Sequence, residues 1–251
     1  MPRISWSFLI LLVIGCKSEV TSYDLAYARL DDVKAVGNFD NTYEQGEFEY
    51  HLENSLLKKG KYNNGQKIGI WEYFLGSDLY RIDWTVYSRK DDSLSTSIPD
   101  FWKYYENKDK LFMADVTPDI SNDKKKFFAI LQHDLTNINI SMDELAGSFY
   151  STTNEIFDIK NSEIYKVSSE NQSYYYLKID SKFEDDDYLI LTFLFKKEDS
   201  MYEISLIHDQ DRKRIKEIIF FDAIYSTFIQ GERVLSPFQK VEVNPVNPPS
   251  I

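Results

Sequence analysis

The sequence predicts an α+β protein, with an antiparallel β-meander followed by an α/β sandwich that has an antiparallel sheet and two main helices. Aromatic residues make up 16% of the 251 residues, and tyrosine and phenylalanine favour the half-buried faces of sheets. Residues 79–87 alternate apolar and polar side chains, which is typical of a strand with one buried face. Ser141, with Glu144 three residues later, has the pattern of a helix-initiating capping box.

The meander is predicted over residues 46–90. Asn64-Gly65 separates two strand-like runs, and it favours a type I′ hairpin turn because both central residues of that turn have positive φ. A second turn, Gly76-Ser77-Asp78, precedes the run 79–87. Four apolar side chains of that run share one face: Tyr80, Ile82, Trp84 and Val86. This pattern predicts three antiparallel strands with one buried face.

Six residues around the Asn64-Gly65 turn follow the spacing Gly-x-Tyr-x-x-Gly-x-x-x-Gly-x-Trp-x-Tyr. They are Gly60, Tyr62, Gly65, Gly69, Trp71 and Tyr73. The pattern resembles a MORN-type repeat of the bacterial variant class, which implies a small strand pair with a glycine turn. Residues 46–50 are a candidate degenerate neighbour. One such unit cannot bury its own face, so a partner sheet is expected. A hairpin that contains a tryptophan by coincidence is the alternative.

The second part of the fold is predicted over residues 95–235. Strand-like runs at 110–116 and 126–135 precede the helix that begins at Ser141. Four further strands are expected at about 162–168, 173–183, 188–197 and 201–207. The third of these is apolar on both faces, which favours a central position in its sheet. A closing helix is predicted over residues 211–229.

The opening segment Ile98-Pro99-Asp100-Phe101-Trp102 and the closing segment from Phe221 to Phe228 frame these elements. Their order over residues 95–232 resembles the PsbP/Mog1/DcrB-like superfamily. The resemblance lies in spacing and not in a set of reactive residues. It implies an α/β sandwich with an antiparallel sheet, and a role in binding or assembly, since most members of that superfamily are not enzymes.

The N-terminus predicts a lipoprotein signal peptide over residues 1–15. Its apolar run at 6–14 would span about 14 Å as a helix, whereas a bilayer core is about 30 Å thick. The run ends Val13-Ile14-Gly15-Cys16, which resembles a lipobox and implies that Cys16 becomes the lipid-bearing first residue. An ordinary secretory signal is the alternative. Residues 16–45 are then expected to form a tether and entry segment, with a short helix at 25–36.

The remaining expectations come from composition. The net charge of −12 argues against nucleic-acid binding, which needs a basic face. The single cysteine excludes an intrachain disulfide and a cysteine-cluster zinc site, and no metal or other cofactor is expected. The four carboxylates from Glu184 to Asp187 lack the spacing of a calcium loop, so a solvated turn is expected there. The proline-rich residues 236–251 are expected to form an extended, mobile tail.

The functional expectation is a non-enzymatic protein of the cell envelope. Its partners would be a membrane, bound through lipid on Cys16, and another envelope protein; the outer membrane, on its periplasmic or surface side, is the expected location. The three histidines, His51, His133 and His208, are far apart and match no catalytic spacing. The alternative is a hydrolase or small-ligand-binding lipoprotein with a pocket near His133 and Asp134, completed by carboxylates of the 184–187 turn.

Overall fold

Two antiparallel sheets with one helix between them form the core of the protein. The computed structural model describes residues 18–27, 33–105, 112–116, 126–170 and 172–247. In chain order the elements are β1 (Ser18–Ser22), β2 (Val33–Asp40), β3 (Tyr43–Leu52), β4 (Ser55–Asn63), β5 (Gln66–Leu75), β6 (Asp78–Ser88), β7 (Leu94–Pro99), β8 (Lys103–Tyr105), β9 (Phe112–Asp115), β10 (Phe127–Asp134), α1 (Met142–Ile156), β11 (Asp158–Ser168), β12 (Ser173–Phe183), β13 (Asp186–Lys197), β14 (Ser200–Asp209), α2 (Lys213–Tyr225), β15 (Phe228–Ile229), β16 (Glu232–Arg233) and β17 (Glu242–Val246). A short 3-10 turn, Leu25–Tyr27, follows β1.

The strands divide into two sheets. Sheet 1 has the order β1-β2-β3-β4-β5-β6-β7-β15-β16, and sheet 2 has the order β17-β11-β12-β13-β14-β10-β9-β8. Sheet 1 is therefore an up-and-down meander to which the chain returns near its end, where Phe228 pairs with Ser95. The antiparallel strands and two helices confirm the α+β class. The sheets do not follow the expected division at residues 46–90 and 95–235, because β1, β2, β7, β15 and β16 all join sheet 1.

Helix α2 lies between the sheets, and α1 covers the other face of sheet 2. Ten of the thirteen residues of α2 are buried, as expected for a helix that is enclosed on all sides. It contacts β5 and β7 of sheet 1 and β13 of sheet 2. Helix α1 contributes Ala146 and Tyr150 to a separate apolar cluster with Leu177 and Ile190 of sheet 2. The layers are thus sheet 1, α2, sheet 2 and α1.

Several local predictions are confirmed. Asn64 and Gly65 have φ values of 48° and 76°, and they join β4 to β5 as the expected hairpin. The backbone N–H of Glu144 donates to Ser141 Oγ at 3.2 Å, and the backbone N–H of Ser141 donates to Glu144 Oε2 at 2.8 Å, which completes the capping box. The four strands expected between residues 162 and 207 are β11 to β14, with the doubly apolar β13 inside sheet 2.

Other predictions are wrong in detail. The helix predicted over 25–36 is wrong for the described residues: Leu25–Tyr27 forms a 3-10 turn, and Val33–Asp40 is strand β2, because alternate residues from Val33 onward face the core. Val86 is exposed and Tyr87 is buried instead, so the alternation of β6 changes phase after Trp84. Helix α2 is shorter than the predicted 211–229, since Phe228 already belongs to β15.

The segments expected as a tether and as a tail each contain a β-strand. The segment expected as a tether contains β1, which pairs with β2 from Ser18 onward. The expected tail is extended, but Glu242–Val246 is not mobile chain: it pairs with β11 and forms an edge of sheet 2. This pairing gives hydrogen-bond partners to the backbone N–H and C=O groups of β11 that would lack them at an unpaired sheet edge.

Candidate binding cleft

The residues of the repeat-like motif build a tight hairpin whose inner face is aromatic. A Cβ at Gly60 would lie 2.3 Å from the Trp71 ring, so only glycine allows that ring to cover β4. Gly65 and Gly69 have φ values of +76° and +61°, which glycine adopts without strain. Tyr62 packs edge-on against Trp71 with ring centroids 4.9 Å apart. The motif therefore explains packing, and it places no reactive group on the surface.

The preceding hairpin repeats this construction. A Cβ at Gly37 would lie 2.5 Å from the ring of Phe48, just as a Cβ at Gly60 would meet Trp71, and the sequence separation is the same within each pair. Gly46 has a φ of +76° and corresponds to Gly69. The chain thus contains two structural copies, at residues 37–50 and 60–73. The candidate neighbour at 46–50 is the second half of the first copy.

Each copy buries one charge at the same position, and each charge is paired by the C-terminal segment. Glu44 in the first copy and Lys67 in the second occupy equivalent positions, and both are fully buried. Arg233 Nη2 lies 2.7 Å from Glu44 Oε2, and the second guanidinium nitrogen, Nη1, lies 3.2 Å from Oε1. Lys67 Nζ lies 3.0 Å from Asp222 Oδ2. The Lys67–Asp222 pair fixes sheet 1 against α2, and the Arg233–Glu44 pair joins β16 to β3 within sheet 1, because a buried charge without its partner is costly.

Asp222 is the centre of a larger buried cluster. In addition to its ion pair with Lys67, Asp222 accepts hydrogen bonds from Lys58 Nζ at 2.7 Å and from Tyr73 Oη at 2.8 Å. Lys58 also donates to Asp24, just ahead of the 3-10 turn. Burial lowers the pKa of Lys58, but Asp222 and Asp24 outweigh it and hold the pKa well above 10.5. Burial raises the pKa of Asp222, but the charge of Lys58 is the main influence that holds it below its ordinary value.

The pKa of Lys67 is shifted in the opposite direction to that of Lys58. The Lys67 Nζ lies 2.9 Å from the centroid of the Trp71 ring and is fully buried. Burial lowers the pKa of Lys67 well below 10.5, and the attraction of Asp222 does not compensate because the nearby charge of Lys58 lowers the pKa further. Lys67 therefore loses its proton at a lower pH in the folded protein than in the unfolded chain.

This difference predicts an unusual alkaline stabilisation. Between the lowered pKa of folded Lys67 and the ordinary value of 10.5, the unfolded chain binds more protons, so stability rises with pH there. The slope reaches at most about 1.4 kcal/mol per pH unit. Denaturant midpoints measured from about pH 7 to about pH 9, below the range in which tyrosines of the unfolded chain ionise, should rise more steeply with pH in the native protein than in Lys67→Met. Parallel profiles for the two proteins would contradict the assignment.

A cavity lies beside α2, where sheet 2 meets the 3-10 turn. It has a volume of about 570 Å³. Its lining combines apolar, aromatic and charged side chains: Leu25, Ala26, Glu163, Tyr165, Val167, Tyr176, Lys178, Arg214, Glu217 and Val243. The rings of Tyr165 and Tyr176 stack with their centroids 6.0 Å apart. We call this cavity the cleft.

The charged groups of the cleft are tied to one another. Glu217 accepts hydrogen bonds from Tyr176 Oη at 2.9 Å and Lys178 Nζ at 3.2 Å, and Arg214 Nη1 lies 3.5 Å away. Burial raises the pKa of Tyr176 well above 10, and Glu217 adds to the shift, so its hydroxyl stays protonated. The Arg214 guanidinium lies 5.2 Å from the centroid of Tyr27. Such preorganised groups suit recognition of a bound molecule.

One side of the cleft is formed by the C-terminal strand. Val243 lines the cleft and pairs with Val167, while Pro245 pairs with Tyr165. Four of the five β17 residues are exposed, so few side-chain contacts hold this strand in place. The edge of sheet 2 therefore already accepts one extended peptide segment, with an apolar side chain directed to the cleft.

The structure does not bring together the residues of the alternative site. His133 is 42% exposed, and its Nε2 lies 3.2 Å from Glu203 Oε2. His133 pairs with Met201 at one end of β14, whereas the 184–187 turn lies beyond Tyr188, which pairs with Asp209 at the other end. Eight residues of strand separate these ends by about 26 Å.

The other two histidines are also held by local contacts. His51 Nε2 lies 3.2 Å from Glu49 Oε2. Burial lowers the pKa of His208 to about 4, with nearby Lys216 adding to the shift, so its ring is neutral at neutral pH. Among the described residues, no group of three His, Cys, Asp or Glu side chains is placed to hold a metal ion.

The lipid-attachment prediction concerns Cys16, which lies outside the described residues, as does the whole segment 1–17. Within the part of the chain that is described, no helix has the length and apolar character needed to cross a membrane. The first described residue, Ser18, is already paired in sheet 1.

Comparisons with known proteins give structural matches alone. No protein-family model matches the sequence, and a search of curated proteins also gave no match. Cyanobacterial PsbP (CyanoP) from Synechocystis sp. PCC 6803 matches with 16% identity and a TM-score of 0.44, over 62% of this chain and 96% of that protein. PA94 from Pseudomonas aeruginosa, a protein of unknown function, matches with 13% identity and a TM-score of 0.35, over 57% of this chain and 94% of its own. The solved structures that resemble this chain therefore include a PsbP protein.

Proposed function

We propose that this chain is a non-enzymatic, lipid-anchored protein of the cell envelope that binds an extended segment of another protein in the cleft. The single observation that carries the proposal is the pairing of β17 on β11, with Val243 at the cleft wall. An extended strand beside a pocket for an apolar side chain is the geometry of recognition by strand addition. The lipid on Cys16 would hold the protein in its membrane while the cleft binds the partner.

The chemistry of the cleft supports a polypeptide partner. The stacked Tyr165 and Tyr176 offer a flat apolar contact area. Arg214 and Lys178 provide cationic donors, while Glu163 and Glu217 provide carboxylate acceptors. A peptide carries both hydrogen-bond donors and acceptors along its backbone. A lining with both cationic and anionic side chains therefore suits a peptide better than a purely apolar or purely anionic molecule.

We also propose which part of the chain corresponds to each of the two resembling families. The two copies at residues 37–50 and 60–73 would be MORN-like units that serve as the rigid wall against which α2 is fixed. Sheet 2 with α1 and α2 would be the PsbP-like part, and it would contain the cleft. In this proposal sheet 1 is the rigid support, and sheet 2 binds the partner protein.

Site-specific photo-crosslinking in intact cells tests the proposal. Replacing Tyr165, which lines the cleft, by p-benzoylphenylalanine is expected to give a discrete protein adduct. The same replacement at Tyr80, a half-buried tyrosine of sheet 1, is the matched control and should give none. Adding Leu25→Trp, which fills the cleft, should remove the Tyr165 adduct, while exposed Leu79→Trp should leave it. Equal labelling from both tyrosines, or an adduct that survives Leu25→Trp, would refute binding in the cleft.

A further inference from the structure

The start of β1 limits how far the folded body can lie from its lipid. Only Lys17 separates Cys16 from Ser18, and Ser18 is already paired with Gly37 in sheet 1. Two residues span at most about 7 Å, so the acylated residue must stay within that distance of the sheet. A body attached so closely has little freedom to tumble above the bilayer.

Strand register shows which end of sheet 1 is attached. Ser18 lies opposite Gly37, toward the end of β2, whereas Ser22 lies opposite Val33, where β2 begins. Because the strands are antiparallel, four connections lie at the Ser18 end: residues 41–42, 64–65, 89–93 and 230–231. We call this the anchor end. The turns at 53–54 and 76–77 lie at the opposite end of the sheet.

We infer that the anchor end of sheet 1 is a membrane-contact surface that lies against lipid headgroups; this rests on the proposed acylation of Cys16. Its side chains suit that position. Asn41, Asn64 and Gln230 are exposed, polar and uncharged, and the cationic Arg89 and Lys90 stand next to two aspartates in the 89–93 turn. Of the two other exposed carboxylates at this end, Asp40 and Glu232, the second is paired with Lys197, so this end meets less repulsion from anionic lipid than the acidic body as a whole would meet.

The same geometry directs the cleft away from the membrane. The 3-10 turn that lines the cleft, Leu25–Tyr27, follows Ser22 at the far end of β1. The ten residues of β5 separate the two ends of sheet 1 by about 33 Å. A partner can then enter the cleft from the aqueous side without meeting the bilayer.

Fluorescence quenching on vesicles tests the orientation. Acylation consumes the only native thiol, so a second cysteine in the full lipidated chain is the single labelling site. Thr42→Cys and Lys90→Cys report on the anchor end, and the matched controls Asn54→Cys and Ser77→Cys report on the far end; all four positions are exposed. The vesicles contain phosphatidylethanolamine, phosphatidylglycerol and a lipid with a nitroxide on its headgroup, which quenches fluorophores at the membrane surface.

We expect strong quenching at Thr42→Cys and Lys90→Cys and little at the two controls. A flexible Gly/Ser insertion of about 20 residues after Lys17, with a root-mean-square span of about 25 Å, should keep the protein on the vesicles but remove the difference. Equal quenching at all four sites of a vesicle-bound protein, or stronger quenching at the far end, would overturn the orientation while the anchor stands. Equal vesicle binding by the native protein and Cys16→Ser would overturn both.

Discussion

Replacing Asp222 by asparagine should destabilise the protein by about 3–5 kcal/mol, the cost of removing one partner from a buried ion pair. Asp222 is fully buried and is the nearest carboxylate of Lys67. Lys58 would keep Asp24, but Lys67 would retain only the aromatic rings around it as a favourable environment. The change keeps the shape of the side chain, so the loss is electrostatic and not a cavity effect. Denaturant unfolding followed by tryptophan fluorescence measures it.

Two comparisons make this result specific. Asp78→Asn removes an exposed carboxylate at the first residue of β6 and should change stability by less than about 0.5 kcal/mol. Combining Asp222→Asn with Lys67→Met should cost less than Asp222→Asn alone, because the second change removes the charge that was left unpaired. An Asp222→Asn protein as stable as the Asp78→Asn control would show that Asp222 does not hold the buried lysines.

Local signals in the sequence predicted much of the fold. The Asn64-Gly65 turn and the Ser141–Glu144 capping box are decided by a few adjacent residues, and both occur in the structure. Strand β13 was recognisable because it is apolar on both faces. The earlier copy of the hairpin could also have been found. Gly37 and Phe48 are separated in the sequence by the same interval as Gly60 and Trp71, and a search for internal repeats detects such a constant offset.

Local signals could not predict which residues pair when they are far apart in the sequence. On β4, Lys58 lies two residues before Gly60 and four before Tyr62, so it faces the core with them, and strict strand alternation could have shown this. Its partner Asp222 lies 164 residues later, on a helix whose placement between two sheets no local pattern reveals. Likewise, β15 and β16 are two residues each, too short for a periodic signal, yet they bring Arg233 to Glu44. The cleft was missed for the same reason, since its walls come from distant segments.

Replacing Gly60 by alanine should be the second large effect, a loss of about 3 kcal/mol from overpacking. In an ordinary strand the same change would be stabilising by about 0.5–1 kcal/mol, because glycine is the more flexible residue when unfolded. Here the new methyl group would lie 2.3 Å from the Trp71 ring, which is fully buried and cannot move away without displacing Tyr62 and Tyr73. The sign of the change therefore distinguishes close aromatic packing from ordinary strand propensity. Denaturant unfolding gives the stability, and near-ultraviolet circular dichroism reports on the tryptophan environment.

The two copies of the hairpin provide an internal check on this prediction. Gly37→Ala should be destabilising for the same reason, since its methyl group would lie 2.5 Å from the Phe48 ring. Shrinking the ring should relieve the clash, so Gly60→Ala should cost less in a Trp71→Leu background than in the native protein, with a coupling of about 1–3 kcal/mol. Gly76→Ala is the control for backbone strain alone, because Gly76 has a φ of +62° and open space around its Cβ position. If Gly60→Ala is neutral or stabilising, or costs the same with leucine at position 71, then the glycine–aromatic contact does not hold the hairpin together, and the rigid wall behind α2 has another origin.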